Sequence, residues 1–196
     1  MSERPQLWIL VGGNGAGKST FYRLLLQPLG LPFVNADLLA QVVFSDDPEA
    51  HSYEAAQLAE RQRLRMLQDG VSFCFETVVS HPSKVDFIAF AKGLGYQIIM
   101  ILIHLESADL NQARIASRVS EGGHDVPAEK VSSRIPRLLE QVRASIPLVD
   151  ELRVVDNSSA LDPFQPVLTI SDGIVLIQRE PLPGWAVGLL PGSEHG

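Results

Sequence analysis

Apolar residues along this chain fall into two alternating patterns, short uninterrupted runs and longer stretches in which they recur every three or four positions. The first pattern is that of buried strands and the second that of amphipathic helices. Leu7–Val11 is a short apolar run ending in glycines, and Phe21, Leu24 and Leu25 then give Ser19–Leu26 a helical spacing. A second strand over Leu31–Asp37 leads into a helix that presents Leu38, Leu39, Val42 and Val43. Tyr53–Leu67 predicts a longer helix with Leu58, Arg61, Arg65 and Asp69 spaced to leave a solvated side opposite an apolar one, and Gly70 ends it. Val71–Phe75 is a third strand, with Glu76 and Thr77 at its end. Pro82–Lys92 reads as a helix opened by proline and left through Gly93 and Gly95. Tyr96–Leu105 is apolar nearly throughout, as a strand of a parallel sheet covered on both faces would be.

Beyond it, Ser107–Glu121 predicts an arginine-bearing helix, and Gly122–Pro127 a turn into a further helix over about Ala128–Ile146 that Pro136 should bend or divide. Leu152–Val155 is a fifth strand. Val167–Ser171 and Ile174–Gln178 flank Asp172-Gly173, a hairpin signal that adds an antiparallel pair to the sheet. From Pro181 the density of proline and glycine predicts an irregular tail. Strands alternating with helices define an α/β layered fold with right-handed crossovers. With 196 residues and no convincing linker or repeat, one domain over 1–196 is expected, with a helical lid at about 107–146.

The glycines after the first strand change this picture from a fold class to a chemistry. Gly12-Gly13-Asn14-Gly15-Ala16-Gly17-Lys18-Ser19 fits the phosphate-loop pattern and has the required strand before it and helix after it. Glycines allow backbone N–H groups to curl around phosphates, and the following helix adds its unpaired amino-terminal donors. Lys18 is expected on the β and γ phosphates, and the Ser19 hydroxyl on Mg²⁺; Thr20 completes the nucleotide-binding set. The fold class is therefore a P-loop three-layer α/β fold with a mainly parallel five-stranded sheet plus the C-terminal hairpin.

Ligands of such sheets lie beyond the carboxyl ends of the strands, where Asp37, Glu76 and Asp156 all fall. Phosphoryl transfer to an alcohol needs an acceptor for the hydroxyl proton and compensation for the moving charge. Asp37 is the expected general base, with a helix cap as its alternative role. Glu76 would orient the acceptor or hold water around Mg²⁺, with a loop salt bridge or cap as the alternative. Arg114 and Arg118 share one helix face, and Arg134 and Arg137 lie three apart on the next. These arginines would close on phosphate oxygens from above, or else form a solvated face paired with Glu106, Glu121, Glu129 or Glu140. Asp156-Asn157-Ser158 is placed either near the base of the donor nucleotide or in a plain turn.

Charge and composition narrow the partners. Sixteen Lys and Arg against twenty-three Asp and Glu give a formal charge of −7, which opposes a broad grip on duplex nucleic acid or an anionic membrane surface. No stretch is apolar for long enough to cross a bilayer. Cys74 is the single cysteine, expected as an inert buried thiol, and a reducing cytoplasm suits it. His51, His81, His104, His124 and His195 are scattered without a zinc-like spacing, so no metal cluster is expected, and His104 reads as a sheet-edge residue.

The combined motifs resemble the zeta-toxin family of P-loop kinases and its close non-toxic relatives, described as predicted ATPases. The matching pieces are the phosphate loop through Thr20, Phe33-Val34-Asn35-Ala36-Asp37, Phe73-Cys74-Phe75-Glu76-Thr77-Val78, Arg114, Arg118-Val119, Gly122–Pro127, Arg134 with Arg137, and Asp156-Asn157-Ser158. The resemblance implies a nucleoside-kinase-like core in which ATP donates its γ-phosphoryl group to an alcohol of a small molecule. UDP-N-acetylglucosamine is the acceptor known for toxins of the family. Asp37 then corresponds to the base, Glu76, Thr77, Arg114 and Arg137 to substrate-binding positions, and Arg118 and Arg134 to catalytic arginines beside Lys18. The rival expectation is an ATP-binding or ATPase switch that controls a protein partner. A protein regulator is compatible with either.

Overall fold

The computed structural model describes residues 4–77, 83–105 and 128–192, with the side chains of residue 83 and of 128–135 outside that description. The Ser107–Glu121 helix and the Gly122–Pro127 turn expected from the sequence lie outside it.

Seven strands form one sheet in the order β2-β3-β1-β4-β5-β6-β7. These are β1 (Gln6–Val11), β2 (Phe33–Val34), β3 (Phe73–Thr77), β4 (Gln97–His104), β5 (Glu151–Asp156), β6 (Gln165–Ser171) and β7 (Ile174–Ile177). The first five run parallel, and β6 and β7 extend the sheet antiparallel. The Asp172-Gly173 hairpin has positive φ at both positions, 50° and 78°, as a tight primed turn requires. Glu76, Thr77 and Asp156 fall inside their strands rather than in the loops that follow.

The helices are α1 (Lys18–Phe21), α2 (Ala36–Val43), α3 (Ser52–Gln68), α4 (Ser83–Gly93), α5 (Ala128–Ser145) and the short α6 (Gly184–Val187). On one face of the sheet, Leu7, Ile9, Phe73, Phe75, Met100 and Leu102 pack with Ala59 and Leu67 of α3, Ile88 of α4 and Leu138 and Val142 of α5. On the other, Trp8, Leu10, Cys74, Ile99 and Ile101 receive Phe21 and Leu26. Alternation along each strand thus feeds two cores, which is why β1 and β4 read as unbroken apolar runs.

This packing bears on four expectations. The helix after the phosphate loop passes from α1 into a π-helical turn at Tyr22–Leu26. Its wider winding puts Leu26 under Phe21 and leaves Leu24 and Leu25 exposed. Pro136 is exposed and α5 runs across it as one helix, so the proline does not divide it; from Leu138 onward the helix contributes Leu138 and Val142 to the core. His104 lies not at an edge but at the end of β4, between β1 and β5. Finally, the segment after Pro181 is anchored by α6, where Ala186 and Leu189 are buried in the main core.

Candidate functional site

The central strand β1 delivers the phosphate loop at the carboxyl edge of the sheet. Its residues are buried on both faces, so the chain leaves the core only at Val11. Gly12 is pressed against β4, where an added Cβ would lie 2.5 Å from the Ile103 carbonyl oxygen. Gly17 has φ +98°, and a Cβ there would lie 2.5 Å from Asn157 Nδ2. Gly12 therefore requires glycine for space, and Gly17 for its backbone angle, a Cβ there also displacing the Asn157 amide. Gly15 is left-handed as well, with φ 79°. The Ala16 N–H donates to the Gly13 carbonyl at 3.1 Å and closes the loop on itself.

Two residues beyond β5 brace this loop from below. Asn157 is buried; its Nδ2 donates to the Ala16 carbonyl at 2.8 Å, and its backbone N–H donates to the His104 carbonyl at 2.8 Å. Phe164 meets Phe21 of α1 edge to face at 5.2 Å. The loop is thus held between the backbone of β4 and the chain that follows β5.

Lys18 opens α1 and is largely buried, its Nζ donating to the carbonyls of Gly12 and Gly13, each at 3.0 Å. The Ser19 hydroxyl donates to Glu76 Oε2 at 2.9 Å. Glu76 is opposite Leu10 in the β1–β3 register, so its side chain emerges on the α1 side of the sheet. Asn14 and Thr77 are half-buried and Thr20 is exposed.

Asp37 stands in the first turn of α2 just past the carboxyl end of β2, and it is exposed. It does not cap the helix. That role belongs to Asn35, whose side chain accepts from the Leu38 N–H at 3.0 Å. Arg137 is exposed on α5. Arg114 and Arg118, and the side chain of Arg134, lie outside the described residues.

Asp156 is occupied within the fold. Its carboxylate accepts from the Ser158 N–H at 2.9 Å, the Ser158 hydroxyl at 2.5 Å and Arg179 Nη1 at 2.6 Å. Burial alone would raise its pKa, but the Ser158 donors and the Arg179 charge outweigh it and hold the group below the ordinary carboxylate range. The thiol of Cys74 is pushed well up by burial, and further by the Glu76 charge, which fits an unreactive packed side chain. Among the described residues no group of three or more His, Cys, Asp or Glu converges as a metal site, and no helix is long and apolar enough to cross a membrane. Sequence reasoning missed Asn157 as a brace, and with it Phe164 and Arg179. No local pattern announces them, since each acts on a partner far away in the chain.

A family model described as AAA domain matches residues 7–141, more than half of the chain. The chain belongs to this AAA domain family. An uncharacterized protein of Haemophilus influenzae is 26% identical to this AAA domain protein over 138 residues, 67% of the present chain and 98% of the other. Among solved structures, a chain of the native AvrRxo1-ORF1:-ORF2 complex superposes with a TM-score of 0.71 at 17% identity, covering 96% of this chain. The same complex with ATP gives 0.69 at 18% identity over 89% of this chain. The PezAT chromosomal toxin–antitoxin system of Streptococcus pneumoniae gives 0.61 at 17% identity, over 79% of this chain and 68% of the other. The present chain spans 65% and 61% of the two AvrRxo1 chains. These likenesses show that the AAA domain protein has the P-loop kinase-like fold shared with toxin–antitoxin proteins.

Proposed function

We propose that the protein is an ATP-dependent phosphotransferase that moves the γ-phosphoryl group to a hydroxyl of a small molecule. The observation that carries this reading is the braced glycine loop, with Lys18 at its mouth and Ser19 tied to an acidic residue of the neighbouring strand. A loop with no room for a Cβ at Gly12 and a left-handed Gly17 turns amides rather than side chains to a ligand, and the ATP in the complex that contains a chain of the same fold supports a triphosphate as that ligand.

Lys18 exchanges its hydrogen bonds with the loop carbonyls for the β and γ phosphates when nucleotide binds. The Ser19 hydroxyl and the Glu76 carboxylate are hard oxygen donors that fit Mg²⁺, which prefers a few such ligands and its own waters. When bound, that ion neutralises charge on the phosphates. Asp37 takes the proton of the attacking hydroxyl. Glu76 and Thr77 orient the acceptor at the edge of β3, and Arg114, Arg118, Arg134 and Arg137 supply positive charge for the transferred group. A nucleotide-sugar such as UDP-N-acetylglucosamine is one acceptor compatible with this arrangement.

The test is a panel of sugars, nucleotide-sugars, nucleosides and small alcohols incubated with labelled ATP and protein, read by product mass. A phosphorylated product that disappears in Asp37→Asn, with ATP affinity retained, is the expected result. The second reading, an ATP-driven switch acting on a protein, draws on the relatives that are complexes of two proteins. Hydrolysis or partner capture with no phosphorylated small molecule would favour it and overturn the kinase.

A further inference from the structure

Helices α3 and α4 both cover the face of the sheet away from the P-loop helix, and Arg63 of α3 is 9% exposed there. Its guanidinium carbon lies 5.2 Å from the Phe75 ring centroid and 5.7 Å from that of Phe87. The aromatic faces favour a cation, but they do not satisfy its five donors. Among the described residues the guanidinium makes no hydrogen bond or short ion pair, and Glu60, three residues earlier on the same helix, is a counter-charge to it. Lys84, in the first turn of α4, is its neighbour. Burial lowers the Lys84 pKa, the Arg63 charge lowers it further, and Glu60 partly offsets both.

This arrangement is unfavourable as it stands. The Arg63 and Lys84 charges repel each other in a partly desolvated setting, and Lys84 sits at the positive end of an eleven-residue helix, where a cation is disfavoured. Glu60, the acidic group that attracts both cations, is exposed to solvent. An anion held by both cations would accept from the guanidinium and ammonium donors and relieve the repulsion, and the two rings hold the guanidinium in place for it. The position also matters. Phe75 immediately precedes Glu76 in β3, so the cation pair and the P-loop flank the same strand on opposite faces.

We propose that Arg63 and Lys84 form an oxyanion subsite that takes the phosphate or carboxylate of the hydroxyl-bearing acceptor, so that the enzyme selects charged alcohols over neutral ones. The acceptor half of this assignment rests on the kinase reading; the anion site itself does not.

Protein saturated with Mg²⁺ and a non-hydrolysable ATP analogue, which fills the P-loop, is titrated calorimetrically with inorganic phosphate. Lys84→Gln and Arg63→Met should each weaken phosphate binding about tenfold or more, with affinity for the analogue unchanged. No phosphate binding by the wild type, or equal binding by both variants, overturns the site. If Arg63→Met fails to fold, the half-exposed Lys84 decides alone. Matched sugars with and without a phosphate ester then identify the source of the anion. A kcat/KM advantage for the phosphorylated sugar that is lost in Lys84→Gln assigns the site to the acceptor. Lys84-dependent phosphate binding without that advantage overturns the acceptor assignment in favour of free phosphate. If no alcohol is phosphorylated while phosphate still binds through Lys84, the kinase reading falls and the anion site stands.

Discussion

Asn157→Ala removes one amide from beneath the phosphate loop, and its effect can be worked from the geometry. The wild-type Nδ2 donates to the Ala16 carbonyl at 2.8 Å from a side chain that is 5% exposed, so water does not readily replace it. Leaving a buried carbonyl without its donor costs about 1–3 kcal/mol. If the loop remains closed, the loss appears as global stability, and Tm falls by roughly 2–12 °C for a domain of this size. If the loop loosens instead, the same free energy is needed to rebuild the cradle around phosphate, and nucleotide affinity falls by roughly 5- to 150-fold. Both effects can occur, but their sum is bounded by the one lost bond. Scanning calorimetry without ligand and titration calorimetry with Mg²⁺-ATP separate the two. Asn157→Asp should be the worse variant, because a carboxylate of the same shape cannot donate and would face the Ala16 carbonyl with like polarity. A variant Asn157→Ala with Tm within about 1 °C and nucleotide affinity within about twofold of wild type would refute the brace.

Three further outcomes are expected. Gly12→Ala meets backbone rather than a movable side chain, 2.5 Å from the Ile103 oxygen, so its Tm should fall below that of Asn157→Ala; a wild-type melting curve would count against the close approach of loop and strand. His104 is buried and neutral in the fold, with its pKa lowered from 6.5 to about 4 by burial, against the raising effect of Asp156. The unfolded chain therefore binds more protons in that interval, and about 3 kcal/mol of stability should be lost as pH falls from about 6.5 to about 4; urea unfolding across that range should be flatter for His104→Asn, and equal slopes would remove His104 as the cause. Glu76→Gln keeps an acceptor for the Ser19 hydroxyl but removes the charge, so nucleotide binding without Mg²⁺ should be kept and the tightening caused by Mg²⁺ reduced; an undiminished Mg²⁺ effect in calorimetry would exclude Glu76 from the ion's surroundings.

Local chemistry made part of this molecule legible. The unbroken apolar runs of β1 and β4 and the glycines of the phosphate loop fixed the parallel core, and Asp172-Gly173 fixed the hairpin, because those features depend on neighbours in sequence. Burial that depends on distant partners was not legible. Leu26 is buried rather than Leu24 because the helix widens by one residue there, and His104 is buried because Trp185, far along the chain, lies 4.0 Å from it by ring centroids. Arg63 lies within the helix predicted over Tyr53–Leu67, but nothing local says that Phe75 and Phe87 will stand against it. The same holds for the loop: its own residues announce phosphate chemistry, but not the side chain of Asn157 that holds Ala16 in place.

The chain after β4 bears on how this protein can be cut. The family match ends at residue 141, inside α5, while β5 pairs with β4 from Ile99 to His104 and is followed by Asn157, and Ala186 and Leu189 are buried in the core. An expression fragment ending at the homology boundary would keep every residue of the phosphate-loop motif yet present a raw, aggregation-prone strand to solvent. Such a fragment should be insoluble, whereas a purification tag joined beyond Leu190 leaves Ala186 and Leu189 in place.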